Sequence, residues 1–515
     1  MTLPTNTAQP ATLGKAKPEP EGELTKPEKV LPLAQDLKGL LGDARRRTQT
    51  PIKSLYKHFF LPGMLTLAAG LPHPSTFAFE DLQVTVPVPG HVTADNHHKS
   101  SSKAKLSVPF FPAPGADPSQ ASIALVKSLQ YGTTRGIQAF QDFAREHTQE
   151  IHAPPYADWD VIGTTGNTDA LSKAIGLIGS PGDSMLVDEW TYPAAVDTAQ
   201  SHGVKLAPVP MDHDGMDPTA LDALLSDWAR AHPNSPKPKM MYLVPTGQNP
   251  TGVTMSLPRR RAIYQLAQKH NLIIFEDDPY YYMQYAAYQS PEKRAAEGEV
   301  SQPGLSGLMP SFLSMDVDGR VIRMDSFSKI LAPGTRTGWI TASTQFIPYI
   351  EYHNETTCQQ PSGFSQAIIT ELLTNVWGHD GWAWYLKNLQ LEYYERRNLF
   401  IDVVEKHLKG LAEYVIPDAG MFLWLRALLP QNAADESLPG SQSTKPIMEQ
   451  MLEAFIEARV MVIPGYLFAG QLDRTARARE PYFRTAFSTT DPKDFEPAVQ
   501  RVAKVLRQFK CGKSA

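Results

Sequence analysis

Residues 320–340 read RVIRMDSFSKILAPGTRTGWI. The apolar run at 320–324 predicts a buried strand, and Pro333-Gly334 predicts a turn beyond it. Between them stands Lys329, flanked by Ser326 and Ser328 and followed seven positions later by Arg336. A lysine amine forms Schiff bases with carbonyls once deprotonated, and burial near cationic groups lowers its pKa. Two hydroxyls and a guanidinium fork suit phosphate oxygens. An isolated Ser-x-x-Lys would more simply be a surface lysine beside a turn. The lysine, the two serines, the turn and the placed arginine together are far more specific.

Outward from this string, short apolar runs alternate with helical patterns. Strands are predicted at 160–165, 184–188, 239–244 and 272–275. Leu171, Ala174, Ile175 and Ile178 share one helical face, and Ile263, Leu266 and Ala267 another on a helix at 258–270. Such alternation implies βαβ crossovers, hence an α/β fold with a mostly parallel central sheet flanked by helices. Sites in these sheets form at the carboxyl ends of the strands. Beyond about residue 360, helical patterns dominate at 382–408, 447–459 and 492–509, with strand-like runs at 421–425 and 460–463. These predict a smaller α+β domain. Stretches at 84–118, 286–310 and 430–445 read as surface insertions or linkers.

Four further motifs carry chemistry. In FEDDPYYYMQ (275–284), Asp277 at a strand end can pair with a protonated pyridine nitrogen, and Tyr280 can hydrogen-bond a ring oxygen. A solvated acidic loop would explain that string alone about as well. In VPTGQNPTG (244–252), Asn249 is set to donate to the same ring oxygen, although a plain Pro/Gly loop is a credible reading. TTGNTDAL (164–171) leads through small residues into a helix whose amides, at Asn167 and Thr168, favour a phosphate. An ordinary helix cap uses the same residues. In YFRTAFS (482–488), Arg484 in an aromatic strand needs an anionic partner, either a substrate carboxylate or a structural ion pair.

Composition bounds these readings. A chain of 515 residues predicts more than one domain. Its formal net charge of -5 gives no sign of a nucleic-acid or anionic-membrane surface. Two cysteines, Cys358 and Cys511, cannot make a disulfide framework and fit a reducing compartment. No apolar run reaches the roughly 20 residues of a membrane span. The first residues lack an apolar signal core and contain no arginine, unlike a transit peptide. A cytoplasmic protein is expected.

Taken together with LAAGLPHP (67–74) and SLQYGTTRG (128–136), these strings resemble the fold type I aminotransferases that use pyridoxal 5′-phosphate. They are most similar to the fungal aromatic aminotransferase I group and its kynurenine/α-aminoadipate relatives. The resemblance runs from about residue 50 to the end. It implies a homodimer with shared active sites, in which Lys329 is the Schiff-base residue and Asp277 meets the pyridine nitrogen. Asn249 and Tyr280 then meet the ring oxygen, and Tyr192 in DEWTYPAA stacks on the ring. Ser326, Ser328, Arg336 and the amides of Asn167 and Thr168 hold the phosphate, and Tyr131 reaches the phosphate of the partner subunit. Arg484 holds the substrate α-carboxylate, and Gly70 lines the pocket. Lys53 stands where some members carry an arginine for the distal group of the substrate, and lysine cannot reproduce a bidentate arginine. The choice between dicarboxylate and aromatic side chains therefore stays open at that position.

On this reading residues 1–29 form a disordered tail, and 30–118 an N-terminal arm with part of the small domain. Residues 119–355 form the large cofactor-binding domain and 356–515 the C-terminal small domain. The expected activity is ping-pong transamination from Phe, Tyr or Trp to 2-oxoglutarate, with α-aminoadipate or kynurenine as secondary donors. β-Elimination or decarboxylation could use the same cofactor residues. A transcription regulator with an aminotransferase-like domain is the other alternative, but about 50 residues of low apolar content leave no room for a helix-turn-helix module.

Overall fold

The computed structural model describes residues 36–54, 61–62, 70–89, 103–121, 123–298, 300–430 and 445–511. The expected tail at 1–29 lies outside them.

Fifteen strands are described in chain order. β1 (Asp81–Pro87) and β2 (Lys103–Pro109) form an antiparallel hairpin. β3 (Trp159–Thr164), β4 (Ser184–Asp188) and β5 (Lys205–Val209) follow, and then the short hairpin β6 (Met211–Asp212) and β7 (Gly215–Met216). β8 (Met240–Leu243), β9 (Ile273–Asp277), β10 (Val321–Ser326) and β11 (Gly338–Ser343) complete the first half. β12 (Ala412–Tyr414), β13 (Phe422–Ala427), β14 (Ile463–Pro464) and β15 (Tyr482–Ala486) belong to the second.

The main sheet has the order β3-β11-β10-β9-β8-β4-β5. Six of its strands run parallel, and only β11 is reversed, pairing antiparallel with β10 and β3. Every residue of β4, β8, β9, β10 and β11 is buried. A sheet covered by helices on both faces needs apolar side chains on both, which is why these strands read as continuous runs. The helix Asn167–Ile178 buries Leu171, Ala174, Ile175 and Ile178 as the spacing predicts. The helix Leu257–His270 buries Ile263 and Ala267 and leaves Leu266 half-buried. Each fully buried Leu or Ile contributes about 1.5–3 kcal/mol.

The second sheet, β12-β13-β15-β14, is antiparallel throughout. Leu423 and Leu425 on β13 pack with Met451 and Phe455 of the helix Ile447–Glu457 and Leu506 of the helix Phe495–Lys510. Ile401 and Val404, near the end of the long helix Gly378–Leu408, join the same core.

Two local expectations are corrected. The stretch at 84–118 is not merely a surface insertion, since Leu106 and Val108 of β2 are fully buried against the main core. Its alternation, seen in KAKLSVP, is masked by the Pro, His, Ser and Lys residues around it. The strand expected at 460–463 shrinks to Ile463–Pro464. Arg459 turns into the left-handed region (φ 59°), and the Val460 amide still bonds the helix carbonyl of Phe455 at 3.0 Å. Helix termination uses up the preceding residues. Among the described residues, no helix is long and apolar enough to cross a membrane.

Candidate active site

The carboxyl ends of β3, β4, β8, β9 and β10 lie at one end of the main sheet, and the loops leaving them surround a cavity of about 430 Å³. Asn167, Thr168, Tyr192, Asn249, Asp277, Tyr280, Ser326, Ser328, Lys329, Arg336 and Arg484 all line it. Of these eleven, Arg484 alone comes from the second sheet, where it pairs with Trp424 of β13 and Ile463 of β14.

One wall is built for an anion. Ser326 closes β10, and its hydroxyl donates to Ser328 Oγ at 2.9 Å while accepting the Ser328 amide at 3.1 Å. Arg336 Nη1 lies 3.4 Å from Ser328 Oγ. Arg336 itself has φ 47°, a conformation costing roughly 1–3 kcal/mol for a non-glycine residue. Bonds from its guanidinium to Thr165 O (2.7 Å) and Pro333 O (3.1 Å) offset that cost. Opposite, Gly166 (φ 105°) caps the helix that begins at Asn167 without a side-chain cap bond. The first amides of any helix lack intrahelical partners. A Cβ on Gly166 would lie 2.8 Å from Arg336 Nη2, so the space belongs to the arginine.

The opposite wall holds a buried carboxylate. β9 and β10 pair in register with Asp277 beside Met324, two residues before Ser326. Asp277 Oδ1 accepts from Asn167 Nδ2 at 2.7 Å and Oδ2 from the Tyr242 hydroxyl at 2.8 Å. Among the described residues it makes no ion pair, and burial pushes its pKa above the usual aspartate value. Beneath it, fully buried Arg323 is engaged by Asp325 (2.9 Å) and Glu276 (3.2 Å). That pairing ties β10 to β9.

Arg484 is held by shape as well as by bonds. Its guanidinium lies 4.4 Å from the Phe422 ring centre and 4.8 Å from that of Phe468. Nη1 donates to Asn249 Oδ1 at 2.7 Å, leaving Asn249 Nδ2 as the donor end of that amide. Arg484 Nε is buried with no partner within the described chain. Lys329 opens onto the cavity, and partial desolvation together with the nearby Arg484 charge lowers its pKa from the ordinary 10.5. Burial raises the Tyr280 hydroxyl pKa, keeping it a neutral donor.

Three sequence-derived residues do not join this cavity. Tyr131 is 58% exposed, and Gly70 is exposed. Lys53 Nζ donates to Gly132 O at 3.1 Å, beside Tyr131, while Gln130 Nε2 bonds Pro72 O at 2.8 Å. Tyr131 and Gly70 are exposed and Lys53 is half-buried, and none of the three lines the cavity of its own chain. The structure also adds lining residues that motif reading passed over, chiefly Tyr242, Met421, Phe422 and Ser488. The one signal for Tyr242 was a hydroxyl in the otherwise apolar strand MMYL.

The donor set fits a phosphorylated pyridine aldehyde. An anion cradle, a buried carboxylate lacking a cation, and a reactive amine face one space. Among the described residues, Asn167 Oδ1 and Arg484 Nε have no partners at its walls. Among the described residues there is no cluster of metal ligands.

Comparison with known proteins agrees. The family model for aminotransferase class I and II matches residues 121–502. An aromatic amino acid aminotransferase of Schizosaccharomyces pombe is 37% identical over 476 residues, covering 91% of this chain and 97% of that one. An L-tyrosine:2-oxoglutarate aminotransferase of Serpula lacrymans is 34% identical over 440 residues, covering 83% of this chain and 82% of that one. The crystal structure of aminotransferase Aro8 from Candida albicans superposes with a TM-score of 0.84 at 33% identity, covering 93% of this chain and all of that one. The chain therefore belongs to the class I and II aminotransferases, with the type I fold and pyridoxal 5′-phosphate as its cofactor.

Proposed function

We propose that the chain moves the amino group of phenylalanine, tyrosine or tryptophan onto 2-oxoglutarate in a ping-pong cycle. The observation that carries this reading is the meeting, in one cavity, of the Lys329 amine, the buried Asp277 carboxylate and the aromatic-clamped Arg484. When bound, pyridoxal phosphate supplies an aldehyde that bonds amines and a ring that takes up an electron pair from a substrate carbon. Lys329 would hold that aldehyde through its amine. Its free amine would take the proton from the substrate Cα, as general base and then acid. Asp277 keeps a proton on the ring nitrogen. Asn249 Nδ2 and the Tyr280 hydroxyl would hold the ring oxygen, and Tyr192 would lie against the ring. Ser326, Ser328, Arg336 and the amides of Asn167 and Thr168 hold the phosphate.

Arg484 receives the substrate α-carboxylate in its fork. Replacing it with alanine should lower kcat/KM at least about 30-fold, because removing one partner of a buried charge pair costs 2 kcal/mol or more. The loss should fall mainly on KM, as the carboxylate is bound before and during reaction alike. Steady-state kinetics check this. A change confined to kcat would place Arg484 elsewhere in the cycle.

The names of the S. pombe and S. lacrymans relatives support aromatic donors and 2-oxoglutarate, as do Phe422, Met421 and Tyr192 in the cavity wall. A panel of amino donors against 2-oxoglutarate tests it. Phe, Tyr and Trp should give glutamate and the matching oxo acid, with α-aminoadipate and kynurenine slower. Ammonia or carbon dioxide without glutamate would mean elimination or decarboxylation instead.

The placing of Tyr131, Gly70 and Lys53 outside the cavity, with Tyr131 and Gly70 exposed, supports a homodimer in which these residues serve the partner's site. Sedimentation tests this, and a fully active monomer would overturn it. Residues 119–355 and 356–515 are the two proposed domains, each holding one of the larger sheets. A reducing, cytoplasmic setting is supported by two free cysteines.

A further inference from the structure

The geometry points to Tyr242 as a positioning residue that holds the proton on the cofactor's ring nitrogen by acting through Asp277. This inference rests on the proposed pairing of Asp277 with that nitrogen.

Tyr242 is the third residue of β8, 1% exposed, and it lines the cavity. β8 pairs in register with β9, setting Tyr242 beside Phe275. Asp277, two positions on, therefore projects from the same face. The Tyr242 hydroxyl donates to Asp277 Oδ2 at 2.8 Å. Asn167 Nδ2 donates to Oδ1 at 2.7 Å and is itself steadied by Met324 O at 3.0 Å. Each carboxylate oxygen thus has its own neutral donor, which fixes the plane of the carboxylate.

A carboxylate facing a pyridine nitrogen shares one proton with it. Whatever lowers the basicity of the carboxylate leaves the proton on the nitrogen. Burial works the other way here, raising the pKa of Asp277. The charged groups around it supply little direct help. Arg323 of β10 is the nearest cation in effect, but its guanidinium is engaged by Asp325 and Glu276, and Asp325 itself opposes the charge on Asp277. Tyr280 and Tyr192, from the loops after β9 and β4, face Asp277 as neutral phenols raised by burial. The two hydrogen-bond donors are therefore the main stabilisers of the anion. Of these, Asn167 also begins the helix at the anion cradle, whereas among the described residues the Tyr242 hydroxyl has this bond alone.

A tyrosine that merely fills the core would need its hydroxyl satisfied too, so the test must read the ring nitrogen. In the holoenzyme, the visible absorbance titrates the C=N nitrogen that joins Lys329 to the cofactor, and a positive charge on the ring nitrogen lowers that midpoint, so the midpoint reports the ring charge. Tyr242→Phe should move the midpoint upward, because a more basic Asp277 draws the proton away from the ring. It should also lower kcat about tenfold, the scale of one charge-assisted hydrogen bond, with KM little changed. Site-specific 3-fluorotyrosine at position 242 keeps the ring and makes a stronger donor, so it should move the midpoint downward. The opposite shifts keep the test decisive even if Tyr242→Phe fails to fold. An unchanged midpoint in the folded variants, or an upward shift with fluorotyrosine, would overturn the role of Tyr242. Asp277→Asn separates the layers. If it retains wild-type absorbance and turnover, the ring-nitrogen reading falls and the Tyr242 inference falls with it. If it loses turnover while both Tyr242 variants titrate like wild type, only the Tyr242 inference is wrong.

Discussion

Lys329→Ala is expected to lose the visible absorbance of the lysine-linked cofactor and at least about four orders of magnitude in kcat. Lys329 is the only lysine among the described residues lining the cavity, so no neighbouring amine stands ready to replace it. Its loss removes both the covalent anchor and the group that shuttles the proton. Phosphate binding through Ser326, Ser328 and Arg336 should persist, so the variant should still take up pyridoxal phosphate, now without the linked band. Stability should not suffer. The Lys329 pKa lies below its ordinary 10.5, first from desolvation and then from Arg484. The folded chain thus binds this proton less tightly than the unfolded one, and the charged lysine opposes folding below its folded pKa. The cofactor-free variant should therefore melt no lower than wild type at neutral pH. Absorbance spectra, single-turnover kinetics and a thermal melt check the three parts. A linked band surviving in the variant would show that another amine does the work.

Asp277→Asn should lower kcat by roughly two to four orders of magnitude. Breaking a buried ion pair by neutralising one partner costs roughly 3–5 kcal/mol, and here that cost falls on the protonated ring. The substitution keeps size and shape, but an amide cannot accept on both sides. One of the two donors, Asn167 Nδ2 or the Tyr242 hydroxyl, then meets an N–H. KM for the amino acid should move little, because Arg484 stands apart from Asp277 and bonds Asn249. Steady-state kinetics with a circular-dichroism control distinguish this from unfolding. A variant with a lower melting temperature but wild-type kcat would make Asp277 structural only.

Much of this site was legible as local pattern. A run such as IIFED or VIRMDS opens with apolar residues because both faces of its strand are covered, and the polar residues that close it mark where the sheet ends and a cavity can begin. Asp277, Ser326 and Lys329 could be found that way. The β1–β2 hairpin could not, because its alternating residues sit beside loop-like composition. Tyr242 was hidden for another reason. In MMYL it reads as one more core residue, and only the in-register pairing of β8 with β9 brings its hydroxyl to Asp277.

The sequence by itself determined the candidates, from Lys329 and Asp277 to Ser326, Ser328 and Arg336, because polar residue types at the ends of apolar strands are a local signal. Tertiary structure decided the arrangement. It brought Arg484 from the second sheet between Phe422 and Phe468 and onto Asn249, 235 residues away in sequence. It gave Asp277 two neutral donors in place of a cation, and it left Tyr131, Gly70 and Lys53 outside the cavity. Strand register and sheet order fix those distances, and both are set by pairing between segments far apart in sequence, which no local pattern encodes.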